Sequence, residues 1–132
     1  MKIGYLTGAQ GLIAARPTIV FIHGAGSSAL AWQGLLSALG RKFNALALDL
    51  PGHRQTPGPP RRTAAAYAAW LKSALDQLRA EFEPDPCLLA GHSMGGAIAQ
   101  SFELAHPGDL AGLVLIGTGA KLPVNPKILK GV

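Results

Sequence analysis

With 132 residues, the chain has room for one compact domain and one core, and too few for two. Its 17 glycines and 10 prolines fall singly between apolar segments, and its hydrophobic fraction is 48% with only 14% charged, which excludes collagen-like, low-complexity and disordered chains. The net charge of +5 resides partly in two tight basic pairs, Arg41-Lys42 and Arg61-Arg62, without interleaved aromatics, so no nucleic-acid partner is expected; nor is a membrane partner, because no apolar run approaches the roughly 18 residues of a bilayer span.

In chain order, a first strand is predicted over Lys2 to Thr7, followed by a turn at Gly8 and Gly11. Thr18 to Ile22 is apolar throughout, as in a buried parallel strand, and runs into the turn His23-Gly24-Ala25-Gly26-Ser27-Ser28. A helix is predicted next, with Leu30, Leu35 or Leu36 and Leu39 at helical spacing, Ser28 as its cap and Gly40 as its stop. Asn44 to Leu48 is a second buried strand, closed by the loop DLPGHRQTPGPP, through which no helix can continue. Thr63 caps a long helix to about Glu81, whose apolar face is Tyr67, Leu71, Ala74 and Leu78, and Pro84 and Pro86 end it. The strand CLLAG contains the single cysteine, Cys87, which cannot form an internal disulfide; a reducing, cytoplasmic location is expected. A helix over Met94 to Ala105 and a strand over Leu113 to Ile116 follow. Strands alternating with helices predict a single three-layer α/β/α domain with a mostly parallel sheet.

The motif Gly91-His92-Ser93-Met94-Gly95 is GxSxG between a predicted strand and a predicted helix. Turning from strand to helix within one residue strains that residue's backbone and crowds the positions two either side, which Gly91 and Gly95 relieve by lacking a Cβ. The turn aims the Ser93 hydroxyl outward over the first amides of the helix. The small residues of His23-Gly24-Ala25-Gly26 let backbone amides approach a ligand, so the N–H groups of Ala25 and Met94 are the expected oxyanion donors. His23 is read as a histidine tying loops together rather than as a proton carrier. The same loop, GAGSSA, also fits the GxGxxA form of a dinucleotide fingerprint, with Asp49 closing the next strand. Against that reading, His23 precedes the first glycine, Asp49 is followed by a Pro-Gly turn, and the elbow is left unexplained. The four histidines and the lone cysteine show no metal-ligand spacing, and no metal site is expected.

Together, FIHGAG, LDLPGH and GHSMGG resemble the α/β-hydrolase fold family, specifically its cap-bearing esterase, thioesterase and C–C bond hydrolase branch, in the family's order and at its usual separations. The resemblance spans about Thr18 to Val124. It implies a serine hydrolase acting on a small acyl substrate without a cofactor: Ser93 is the nucleophile, Ala25 and Met94 give the oxyanion amides, and His23, Gly24, Gly26, Gly91, His92, Gly95 and the segment from Asp49 to His53 shape the site. One departure is visible, because Arg54 stands where the family pattern PGHG has glycine.

A serine nucleophile needs a general base, and the base needs an acid to orient it. After Ser93 the chain carries only Glu103, His106 and Asp109, all toward the far end of the following helix. The acid and histidine are therefore expected to be missing from this chain, which reads as a partial hydrolase fold lacking its last strands. Residues 123–132, with Asn125-Pro126 as a helix start, read as the beginning of a cap segment. The strand over Leu113 to Ile116 would then be an uncovered edge prone to self-association. The rival class is a non-catalytic binding module that keeps the fold and the elbow without the triad.

Overall fold

The computed structural model describes residues 1–82 and 86–118. Five strands, β1 (Tyr5–Thr7), β2 (Thr18–Ile22), β3 (Asn44–Leu48), β4 (Leu88–His92) and β5 (Gly112–Ile116), form one sheet in the order β1-β3-β2-β4-β5. Only β1 is antiparallel, in register Leu6 to Ala47; the pairs β2–β3, β2–β4 and β4–β5 are parallel. The strands are nearly all apolar because both faces of the sheet are covered.

Alternation along β2 separates two cores. Val20 and Ile22 join Leu46, Leu48 and Leu89 beneath helices α2 (Ala64–Phe82) and α3 (Met94–Ala105), while Phe21, Ala45, Ala47 and Ala90 pack under Trp32 and Leu36 on the opposite face. This is the expected three-layer α/β/α architecture with a mostly parallel sheet. The expected face of α2, Tyr67, Leu71, Ala74 and Leu78, is buried, as are Ala68, Trp70 and Leu75. Thr63 caps α2 by accepting the N–H of Ala66 (3.0 Å).

Two expected elements differ. The first strand is shorter than Lys2 to Thr7, because Gly4 is held by the loop after β3: its N–H donates to Thr56 Oγ1 (2.8 Å) and its carbonyl accepts from Asp49 N–H (2.9 Å). The single helix expected from Ala29 is instead a 3₁₀ turn (Ala29–Trp32), capped by Ser28, followed by a short helix α1 (Gln33–Leu39). The change of pitch buries Ala29, Trp32 and Leu36, and leaves Leu30 and Leu35 exposed. Among the described residues β5 pairs only with β4, and it exposes Val114 and Ile116. The segment 123–132 and the expected helix breaker Pro84 lie outside the described residues.

Candidate active site

β4 ends at His92 and α3 begins at Met94, so Ser93 alone makes the turn, at φ 54° and ψ −117°, in a region that side-chain-bearing residues rarely enter. Its neighbours explain how the strain is held. Ser93 N–H donates to Ile116 O (3.1 Å), and Ser93 O accepts from Gly96 N–H (2.9 Å), Ala97 N–H (3.2 Å) and Thr118 Oγ1 (2.8 Å). A Cβ on Gly91 would collide with Gly95 O, and one on Gly95 with Ile22 O. Only glycine fits at either place. The second glycine of the pair, Gly96, lies against the Thr118 side chain in the same way.

The loop after β2 closes against this elbow. Ser27 N–H donates to Gly24 O (3.2 Å), closing a turn with Gly26 at φ 70°, glycine's position in a type II turn. A Cβ on Gly24 would lie 3.5 Å from Ser93 Cβ, which sets how near the two loops run. Gly26 N–H donates to His53 Nε2 (3.3 Å), whereas the N–H groups of Ala25 and Met94 make no hydrogen bond among the described residues. Met94 N–H is also at the amino end of α3, where the helix dipole favours negative charge.

His23 is buried and fully engaged. Leu50 N–H must donate to its Nε2 (3.1 Å), so the ring proton sits on Nδ1 and is donated to Gly24 O (2.7 Å). Burial, and then the neighbouring His53 ring at 4.9 Å, hold its pKa below the ordinary 6.5, against the opposing pull of the Gly24 carbonyl and Asp49. His53 is tied in the same manner, with Nε2 accepting from Gly26 and Nδ1 donating to Pro51 O (3.0 Å). Both imidazoles hold loops in place and neither has a lone pair to spare. His92 is exposed on one wall of a cavity of about 220 Å³, with Gly24, Ser27, Ala31, Trp32 and Ile116 among the other lining residues.

The carboxylate of Asp49 is fully buried and accepts from Ala29 N–H (2.9 Å), Arg54 Nε (3.0 Å) and Gln55 N–H (3.3 Å). It is enclosed by protein donors and cannot meet a ribose, and the glycine-rich turn leads into a four-residue 3₁₀ turn rather than an α-helix. The dinucleotide reading is therefore corrected. The residues at the far end of α3 stay far from Ser93: twelve helical residues span about 18 Å. There His106 stacks near Phe102 (5.1 Å), Glu103 accepts from Gly108 N–H (3.3 Å), and Asp109 pairs with Lys72 (3.2 Å) and Arg79 (3.3 Å). Among the described residues no three His, Cys, Asp or Glu side chains converge as metal ligands. Two residues at the site had no sequence signal as single positions, Trp32 in the cavity wall and Thr118 on the elbow; the second glycine of GHSMGG was the one hint of a close neighbour such as Thr118.

A sequence profile described as the alpha/beta hydrolase family matches residues 19–132. The pimeloyl-[acyl-carrier protein] methyl ester esterase of Aromatoleum aromaticum is 33% identical over 114 residues, covering 85% of this chain and 41% of that protein. A lipase-esterase related protein from Clostridium acetobutylicum superposes with a TM-score of 0.77 at 25% identity, over 95% of this chain and 50% of that one. A thermophilic esterase from Thermogutta terrifontis superposes at 0.75 and 24% identity, over 90% and 41%. The chain thus spans less than half the length of the curated relatives it matches, 41% of the Aromatoleum protein and 46% of its Aeromonas hydrophila counterpart.

Proposed function

Because the chain belongs to the alpha/beta hydrolase family, we propose that it carries the nucleophile half of a serine hydrolase acting on an ester, thioester or related acyl bond of a small substrate. The observation that carries the reading is the one-residue turn at Ser93 together with two amides, Ala25 and Met94, that make no hydrogen bond among the described residues. Ser93 Oγ forms a bond to the acyl carbon, and the carbonyl π pair moves onto oxygen, where the two N–H groups receive it. Collapse of that intermediate breaks the bond to the leaving alcohol or thiol, which takes up the proton lost by Oγ. Water then releases the acid from the acyl-enzyme. The chemistry needs no cofactor, and a reducing cytoplasm suits the buried free thiol of Cys87.

The proton needs a carrier, and we read none of the chain's four histidines in that role. His23 and His53 have both ring nitrogens engaged, His106 is a helix length away, and the His92 ring lies by Gly24 and Gly117, on the cavity side of the elbow. We place the general base and its orienting carboxylate on polypeptide other than these 132 residues. Without a base about 10⁶ of the rate is lost, leaving roughly 10³–10⁴ over water from the oxyanion contacts. The engaged histidines also suit the second reading, a binding module that keeps the elbow but does not turn over.

Intact-mass labelling with a fluorophosphonate tests the choice. Slow covalent addition to the chain, abolished by Ser93→Ala, is the expected result for an assembled nucleophile and oxyanion site. No addition to a chain shown by circular dichroism to be folded overturns the nucleophile reading and leaves the binding module.

A further inference from the structure

Among the described residues, the loop after β2 is tied to the loop after β3 by Leu50 N–H on His23 Nε2 (3.1 Å), Ala29 N–H on Asp49 Oδ1 (2.9 Å) and Gly26 N–H on His53 Nε2 (3.3 Å). The first two bonds are buried, and the third is open to solvent. That third bond also falls at a particular place in its turn. Gly26 N–H belongs to the central peptide of the turn from Gly24 to Ser27, and the orientation of that peptide is what separates type II from type I. With Gly26 at φ 70° the turn is type II. His53 Nε2 thus accepts from the one N–H whose direction differs between the two forms. A Cβ on Gly26 would meet nothing within 4 Å, and glycine adopts positive and negative φ about equally readily, so residue 26 has room for either form.

His53 is half-buried and is held by bonds that do not involve Gly26. Its Nδ1–H donates to Pro51 O (3.0 Å), its N–H to Leu50 O (3.0 Å), and its carbonyl accepts from Thr56 N–H (3.0 Å). A proton taken from solvent adds at Nε2, since Nδ1 already carries one. The bond to Pro51 survives, while Nε2 changes from an acceptor into a donor facing the Gly26 N–H. Resting on the reading of Ala25 as an oxyanion donor, we propose that His53 is a positioning residue whose protonation state sets the Ala25–Gly26 peptide. Neutral His53 holds the type II turn; the imidazolium favours the flipped, type I peptide, which turns Ala25 O toward Nε2–H. The flip rotates the backbone at Ala25, the residue whose N–H meets the oxyanion, so acid slows addition to Ser93. The titratable and charged neighbours do not compete for that proton. His23, its ring 4.9 Å away, is held below the ordinary 6.5 by burial and stays neutral where an ordinary histidine charges. Asp49 and Arg54 pair with each other at 3.0 Å, and His92 lies by Gly24 rather than Gly26.

The test follows the turn and the reaction separately, from pH 8 to pH 5, the span in which histidines change charge. In the ¹⁵N-labelled chain the nuclear Overhauser effect from Ala25 Hα to Gly26 H–N is strong in a type II turn and weak in type I, because the flip carries the N–H away from Ala25 Hα. It should weaken on acidification with the same midpoint as the His53 ring protons. In His53→Gln, whose amide oxygen supplies an acceptor that cannot titrate, it should stay strong throughout. Fluorophosphonate labelling of Ser93 is compared as a ratio, His53→Gln over parent, in which the titration of His23 and His92 and of Ser93 itself cancels. That ratio should rise about fivefold from pH 8 to pH 5, the yield of one hydrogen bond, with both chains shown folded by circular dichroism at each pH. At pH 8, His53→Phe should label about fivefold more slowly than His53→Gln. An Ala25–Gly26 effect that stays constant in the parent while the His53 ring titrates, or a labelling ratio flat with pH, overturns the inference. So does a His53 ring that does not titrate in this span. If no chain labels at pH 8, the nucleophile reading falls by itself, and the Ala25–Gly26 effect in the parent still decides whether His53 sets the turn.

Discussion

Two glycines on either side of the reacting centre should respond oppositely to a single methyl group. An alanine Cβ at position 95 would lie 2.7 Å from His23 O and closer still to Ile22 O, both backbone atoms at the end of a central strand. Ordinary contact begins near 3.4 Å, so the start of α3 would have to retreat from β2 by more than about 1 Å, a distance set by Ile22 O, and no side-chain rotation can absorb it. Overpacking of this kind costs about 3 kcal/mol, or roughly 10 °C in melting temperature for a domain of this length. At position 24 the same methyl meets His92 O and Ser93 Cβ, each at 3.5 Å, and His92 Nδ1 at 3.7 Å, all ordinary contacts, and the backbone there is not left-handed. Gly24→Ala should therefore melt within about 2 °C of the parent, while the methyl, standing beside the Ser93 side chain, slows fluorophosphonate addition about tenfold or more. Thermal denaturation by circular dichroism, run beside intact-mass labelling, separates the two. A Gly95→Ala chain that melts and labels like the parent would refute the close approach of α3 to β2. Unchanged labelling of Gly24→Ala would refute the placement of the reacting carbonyl between the two loops.

His23 predicts a pH dependence of stability. Burial lowers its folded pKa below the ordinary 6.5, so above about pH 6.5 both folded and unfolded chains hold it neutral and its hydrogen bonds to Gly24 and Leu50 contribute in full. As pH falls below that value the unfolded chain takes a proton that the folded chain refuses, and stability declines by at most about 1.4 kcal/mol per pH unit until the lowered folded value is reached. Urea titrations between pH 7 and 5 should show this slope in the parent and lose about one proton's worth of it in His23→Gln; equal slopes would count against the neutral tautomer. The edge of β5, unpaired among the described residues, makes a second prediction. Val114 is 43% exposed on a strand without a charge or a proline, so the chain should self-associate, and Val114→Lys should shift its sedimentation toward monomer. A monodisperse parent would oppose this.

What could be read from the sequence was what depends on neighbours along the chain. Buried parallel strands announce themselves as unbroken apolar runs, so β2, β3, β4 and β5 were legible within two residues, and α2 was marked by its cap and its apolar face. The elbow was legible because its steric demands fall on residues two positions either side of Ser93, all inside one motif. The segment after Ser28 was not, because alanine and tryptophan are indifferent markers of burial while leucine is a strong one. Counting Leu30 and Leu35 gave a continuous helix, whereas the chain buries Ala29, Trp32 and Leu36 through a change of pitch. The role of Thr118 was hidden for another reason: its contact with Ser93 O spans 25 positions and depends on where β5 ends.

The departure at Arg54 shows how a motif can lose its glycine and keep its loop. Arg54 adopts φ 40°, a conformation that costs a side-chain-bearing residue on the order of 1 kcal/mol and that glycine adopts freely. Glycine there would leave the buried Asp49 carboxylate with only the amides of Ala29 and Gln55 as donors, whereas Arg54 Nε supplies a charged donor at 3.0 Å. A buried carboxylate is costly until its lone pairs are met, so the ion pair more than offsets the strain. The consequence reaches the candidate site, because Asp49 Oδ1 fixes the start of the 3₁₀ turn through Ala29 N–H, and that turn carries Trp32 into the cavity wall. Arg54 thus acts on the pocket at one remove, through the carboxylate that anchors the turn.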